Sequence, residues 1–185
     1  MGILQFHGND CPSERPIYSL ALEHIDELPT LSIGESNHFV CCIFSVWKHY
    51  TDDQIKQLGK SLILQGCTYF NIWGPGCERA HDLIDNADLE LHPEGPWAMT
   101  NWHSKEPLAN ALWGVLSFAW PDPAFEGFPH SILAITVNSP HSQIKVIQAL
   151  NNLRHFYKTG YLSPGTIKCR VMALLDYFNV VARDA

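Results

Sequence analysis

The sequence predicts an α/β fold: a single three-layer α/β/α domain with a mostly parallel sheet of four to five strands. The chain has 185 residues, a length that suits one hydrophobic core. Short, nearly continuous apolar stretches also alternate four times with segments of helical periodicity. This alternation is typical of parallel strands joined by right-handed helical crossovers. We expect the α/β core over residues 16–158 and an extension over 159–185.

The apolar stretches are short and contain many β-branched and aromatic residues, as expected of strands that are covered on both faces. The predicted strands are His38–Trp47, Thr68–Trp73, Trp97–Trp102 and Ser131–Val137. The segment Pro16–Leu22 could add an edge strand.

A helix follows each predicted strand. The first has Thr51 as its N-cap and Gln54 at the capping-box position, and it ends at Gly66. A short helix over Cys77–Ile84 follows the turn after the second strand. The third helix carries Leu108, Leu112, Val115 and Ala119 on one face and ends before Pro121, and the fourth begins at Ser139-Pro140. The segment after Gly160 is apolar nearly all round, which favours a buried helix or a homodimer contact over a strand.

Composition excludes several classes of protein. The formal net charge is -7, which argues against a nucleic-acid partner. Six cysteines at positions 11, 41, 42, 67, 77 and 169 include no C-x-x-C pair, and this favours buried thiols in a reducing compartment. We find no secretory signal, and the longest apolar run is too short to cross a bilayer. The sequence therefore predicts a soluble, cytoplasmic protein without a membrane partner.

Polar and aromatic side chains collect after the four predicted strands. In an open parallel sheet, ligands bind outside the carboxyl ends of the strands, where helix N-termini also gather and favour anions. We therefore expect a small anionic or nucleotide-like ligand at this edge of the sheet. The candidate binding residues are Trp47, Lys48, Trp73, Gly74, Gly76, Arg79, Trp102, His103 and Ser139. In the alternative interpretation, the tryptophans seal the core and His103 fixes a turn by bonding to backbone.

Two kinds of chemistry are possible alternatives around Cys77. The residue begins a predicted helix, where the dipole favours a thiolate. It could therefore act as the nucleophile of a hydrolase or transferase, with His103 as base and Glu106 or Asp82 as the orienting group. Cys77 and His81, four residues apart, could instead contribute to a metal site. The turn Gly74-Pro75-Gly76 lacks the rest of a dinucleotide fingerprint. We predict no cofactor and expect a binding protein rather than an enzyme.

A protein partner is the second functional hypothesis. The loop Trp120–His130 contains Trp120, Phe125 and Phe128, which makes it a candidate contact surface. An immunity or regulatory factor could use this loop and its acidic surface to bind a basic partner.

Three segments resemble an uncharacterised family of small bacterial α/β domains. They read YFNIWGPGCERAHDLIDNADLE, WAMTNWHSKEPLANALWGVLSFAWPDP and ILAITVNSP, and they contain the blocks W-G-P-x-C and M-T-x-W-H-x-x-E-P-L. The resemblance covers about residues 16–155, with Asn101 in place of an expected threonine. It implies the fold, a bacterial origin and the cluster at the sheet edge, and it implies no reaction.

Overall fold

A six-stranded sheet carries four helices, two on each face, in the computed structural model of the chain, which describes residues 2–10, 13–34, 38–125, 130–153 and 156. The strands are β1 (Leu4–Asn9), β2 (Pro16–Leu22), β3 (Phe39–Phe44), β4 (Cys67–Trp73), β5 (Met99–His103) and β6 (Ser131–Val137). The helices are α1 (Asp52–Leu64), α2 (Cys77–Leu91), α3 (Leu108–Phe118) and α4 (Pro140–Leu150). The spatial order is β1-β2-β6-β3-β4-β5, and only β1 runs antiparallel to its neighbour. The predicted α/β fold is confirmed.

The sheet has one strand more than the largest number that the sequence predicts. The additional strand, β1, has the sequence LQFHGN and no apolar run, and it pairs with β2. Pro16–Leu22 is therefore a strand with neighbours on both sides, β1 and β6, and not the edge of the sheet.

Several predicted boundaries shift by a few residues. β3 ends at Phe44 because the chain turns into a short 3-10 helix over Trp47–His49. α2 extends to Leu91, seven residues past the predicted end. α1 begins as predicted: the Gln54 N–H donates to Thr51 Oγ1 at 3.3 Å, and the Thr51 N–H donates to Gln54 Oε1 at 3.1 Å.

Two hydrophobic cores cover the two faces of the sheet. Along β3, Cys41 and Ile43 pack on the side of α1 and α2, whereas Cys42 and Phe44 pack on the side of α3 and α4. All residues of β3 and β6 are buried, as expected of central strands covered on both faces.

The chain leaves neighbouring strands toward opposite faces at two places. β3 leads into α1 and β6 leads into α4, which lie on opposite faces of the sheet. Ser45 lies between the ends of these two strands and donates to the Val137 carbonyl at 3.3 Å. Gly74 also approaches Ser45 closely, because a Cβ at Gly74 would lie 2.0 Å from the backbone carbonyl oxygen of Ser45. The second divergence is at β4 and β5, which lead into α2 and α3 and leave room for polar side chains.

No helix in the described part of the chain has the length and apolar content needed to cross a bilayer. The expected extension over 159–185 and residues 126–129 of the candidate partner loop lie outside the described residues.

Candidate functional site

A hydrogen-bonded chain of side chains joins β4, β5 and α3 around His103. The His103 Nε2 atom lies 2.6 Å from Asn71 Oδ1, and the Nδ1 atom lies 2.9 Å from Glu106 Oε2. The Asn71 amide Nδ2 donates to the Ala111 carbonyl at 2.7 Å. This last bond fixes the orientation of the Asn71 amide, so its oxygen accepts from the imidazole ring.

Both partners of the His103 ring are therefore acceptors. One is the Glu106 carboxylate and the other is the Asn71 amide oxygen. A ring with a proton on each nitrogen satisfies both contacts, whereas a neutral ring satisfies one of them. The ring is thus held at both ends, and its side chain is only 11% exposed.

A cavity of about 170 Å³ opens beside this network, between β4, β5 and α3. We call it the amide cavity because three asparagines line it: Asn71, Asn101 and Asn110. The other lining residues are the aromatic side chains of Tyr69, Trp113 and Phe118, together with His103, Glu106 and Gly114. The amide cavity is therefore lined by both polar groups and aromatic rings.

Asn110, which lines the amide cavity, has one side-chain atom without a partner among the described residues. Asn110 Oδ1 is buried and accepts no hydrogen bond from the residues that the structure describes. Such an atom carries a desolvation cost unless another molecule supplies a donor.

Gly114 leaves space at the wall of the amide cavity. It lies within α3, and a Cβ there would meet Asn71 Nδ2 at 3.4 Å and the His103 ring at 3.9 Å, which are ordinary contact distances. Packing therefore does not demand a glycine at this position. A glycine in a helix interior costs stability relative to alanine, and here it keeps the cavity open.

The aromatic wall has a defined geometry. Trp113 and Phe118 meet edge to face with ring centroids 4.8 Å apart, and Phe118 is half exposed at the cavity rim. Burial raises the pKa of the Tyr69 hydroxyl, while a hydrogen bond from Asn101 acts in the opposite direction. Tyr69 is therefore a neutral hydrogen-bonding group on the cavity wall.

The structure separates the predicted tryptophans. Trp47 is fully buried and its indole N–H donates to the Trp73 carbonyl at 3.0 Å. Trp73 itself donates to the Glu106 carbonyl at 2.8 Å and packs against Phe44. Trp102 lies on the opposite face of β5 from His103, against the ring of His81 at 4.5 Å. The three indoles thus do not form one platform.

The predicted cationic and glycine positions organise the start of α2. Arg79 donates to Asp52 and to the Tyr50 carbonyl, which ties α2 to the segment before α1. Gly76 has a φ of +87° at the helix start, close to Trp47, and Lys48 is exposed. These residues lie on the α1–α2 side of the sheet, away from the amide cavity.

Cys77 and His103 are neighbours through the backbone rather than through a side-chain pair. The Cys77 side chain is fully buried in the core beneath α1 and α2, and burial raises the pKa of its thiol, against a smaller opposing effect of the His103 backbone. Both ring nitrogens of His103 are bonded elsewhere. His81, the other proposed metal ligand, contacts Asp82 and Asp85, and the described residues contain no cluster able to hold a metal ion.

Ser139 follows β6 and lies outside the amide cavity. Its hydroxyl donates to Ser142, and it borders a separate groove next to β1, β2 and the start of α4. The predicted residues that the amide cavity contains are therefore His103 and Glu106.

Sequence reasoning missed the amides of this cavity. Asn71 interrupts the apolar stretch YFNIW, and a polar residue inside a buried strand is an unusual signal that could have identified it. Asn101, Asn110 and Gly114 have no such local signal, since only the packing of α3 across β3 and β4 brings them together.

Fold and site together define a mostly parallel α/β domain with a small polar cavity beside its last parallel edge strand. A family model described as a domain of unknown function (DUF7684) matches residues 17–150, and the chain belongs to this family. The resemblance to an uncharacterised domain family is thereby confirmed. No curated protein and no solved structure matches the chain.

Proposed function

We propose that the chain is a binding module for a small, uncharged, single-ring polar molecule of the nucleobase type, held in the amide cavity. This narrows the nucleotide-like ligand that the sequence suggests. The observation that carries the proposal is the buried Asn110 Oδ1 atom, which lacks a donor among the described residues. A ring N–H of the ligand would supply it.

The size of the amide cavity favours a single ring. A cavity of about 150 Å³ is large enough to hold benzene, and this one measures about 170 Å³. The rings of Tyr69, Trp113 and Phe118 offer aromatic contacts to a planar ligand.

The charges around the amide cavity favour a neutral ligand. Its lining contains one carboxylate, Glu106, and one imidazole, His103, which are bonded to each other. Arg79 is engaged by Asp52 on the other side of the sheet. An anionic group would therefore have to remain outside the cavity, in solvent.

Binding can be measured by calorimetry and by backbone NMR shifts with uracil and cytosine as probes, and with benzene as an apolar control. We expect one of the two bases to bind and to perturb residues of β4, β5 and α3. An Asn110→Leu variant, similar in volume but without the acceptor, should lose this binding and should still bind benzene. Ser142→Ala, in α4, serves as the unaffected control. The absence of saturable binding by either base, or equal binding to Asn110→Leu, would contradict the proposal.

A further inference from the structure

The outer edge of β5 pairs with no strand in the described part of the chain. β5 pairs with β4 on one side, and no described residue pairs with it on the other. The Trp102 N–H donates to the side-chain oxygen of Asn101 at 2.9 Å rather than to another strand. At the opposite edge of the sheet, β1 is irregular, because its register shifts between Phe6 and Asn9. Natural proteins blunt their edges with such irregularities, and β5 has none.

Large apolar side chains are exposed along this edge. Met99 is 46% exposed and Trp102 is 43% exposed, and Trp97, just before the strand, is 48% exposed. Met99 and Trp102 belong to opposite faces of the strand, so apolar side chains border the edge on both faces. Exposed aromatic and Met side chains are typical of interaction surfaces.

The neighbouring helix α2 adds negative charge beside β5. Asp82 is 75% exposed, and Asp85 accepts from the Thr100 hydroxyl of β5 at 2.6 Å. Beyond the strand, Lys105 adds one positive charge and Glu106 adds a negative one. Two carboxylates of α2 therefore lie beside β5, and the edge is both aromatic and acidic.

We infer that the free edge of β5 binds an extended, basic segment of a partner protein, which adds to the sheet as a further strand. Backbone hydrogen bonds would hold such a segment, while its arginine or lysine side chains would meet the Trp102 ring and the carboxylate of Asp82. A second copy of this chain fits less well, because edge-to-edge pairing would bring two acidic borders together.

The proposal is tested by selecting ten-residue peptides from a random displayed library on the full chain and synthesising the enriched ones for fluorescence anisotropy. We expect basic, β-branched sequences whose affinity falls as salt rises. Trp102→Ala should weaken binding about tenfold, and Asp82→Lys should weaken it further. The matched controls Phe6→Ala and Glu23→Lys, at exposed positions away from β5, should leave affinity unchanged.

N-methylation of the peptide tests strand addition directly. Two versions of a peptide are compared, each methylated on alternate amides and offset from the other by one residue. One version should lose binding and the other should keep it, since only one edge of the added strand faces β5. Failure to enrich any peptide, selection of acidic peptides, or equal binding to Trp102→Ala would overturn the inference. Self-association that Trp102→Ala removes would assign the edge to a second copy instead. Because Trp102 lies on the face of β5 opposite the amide cavity, these outcomes are independent of nucleobase binding.

Discussion

At the scale of single residues, His103 shows how one ring can connect three elements. It belongs to β5, contacts Asn71 of β4, and through the Asn71 amide reaches the Ala111 carbonyl of α3. Glu106 holds its other nitrogen within the turn. In the block MTNWHSKEPL, β5 therefore ends in a histidine that bonds to Asn71 of the neighbouring strand and to Glu106 of the turn that follows.

Replacing His103 by alanine should lower the free energy of unfolding by about 2 kcal/mol, because Asn71 Oδ1 would remain buried without a donor. Urea unfolding followed by circular dichroism measures this loss. His49→Ala, at an exposed histidine, is the matched control and should change stability by less than about 0.5 kcal/mol. Identical unfolding midpoints for His103→Ala and wild type would mean that the network contributes nothing to folding.

At the scale of elements, local signals were predictable from the sequence and long-range ones were not. The capping box of α1 lies within four consecutive residues, and Thr51 and Gln54 form it as expected. β6 matches its predicted bounds because its seven residues are all buried. β1 was missed, since its side chains are mostly half-buried or exposed and its strand structure depends on pairing with β2.

The candidate site shows the same limit. The sequence indicates that polar groups follow β4 and β5, but it does not indicate which face of the sheet each side chain occupies. His103 and Trp102 are consecutive and therefore point to opposite faces. Asn110 and Gly114 reach the amide cavity only because α3 packs across β3 and β4.

Two helix glycines with different surroundings test this packing. Gly114→Ala should raise the free energy of unfolding by up to about 1 kcal/mol, since the methyl group has room and alanine favours the helix. Gly59→Ala should lower it by about 1 kcal/mol, because its Cβ would lie 3.0 Å from Ile84 Cγ1 and would push α1 away from α2. Urea unfolding of both variants gives the comparison, and a gain in stability for Gly59→Ala would show that the contact between these helices is not tight.

At the scale of the whole molecule, the buried thiols report on both cores of the sheet. Cys41, Cys67 and Cys77 lie in the core beneath α1 and α2, and Cys42 lies in the core beneath α3 and α4. Each is buried, so a reagent reaches it only when that core opens. If the sheet unfolds as one cooperative unit, all four thiols must become accessible together.

The variant Cys11→Ser/Cys169→Ser isolates these four thiols for labelling with a thiol reagent. We expect one common labelling rate that rises with urea in proportion to the unfolded fraction. Burial raises the pKa of Cys41, Cys42 and Cys77 above the ordinary value of 9.0. As pH rises through 9, thiols of the unfolded chain ionise first, so the stabilisation present below that pH should decline above it. In the labelling experiment, a fast-reacting thiol in the native protein at pH 8 would contradict the common labelling rate, because it would show that one core opens without the other.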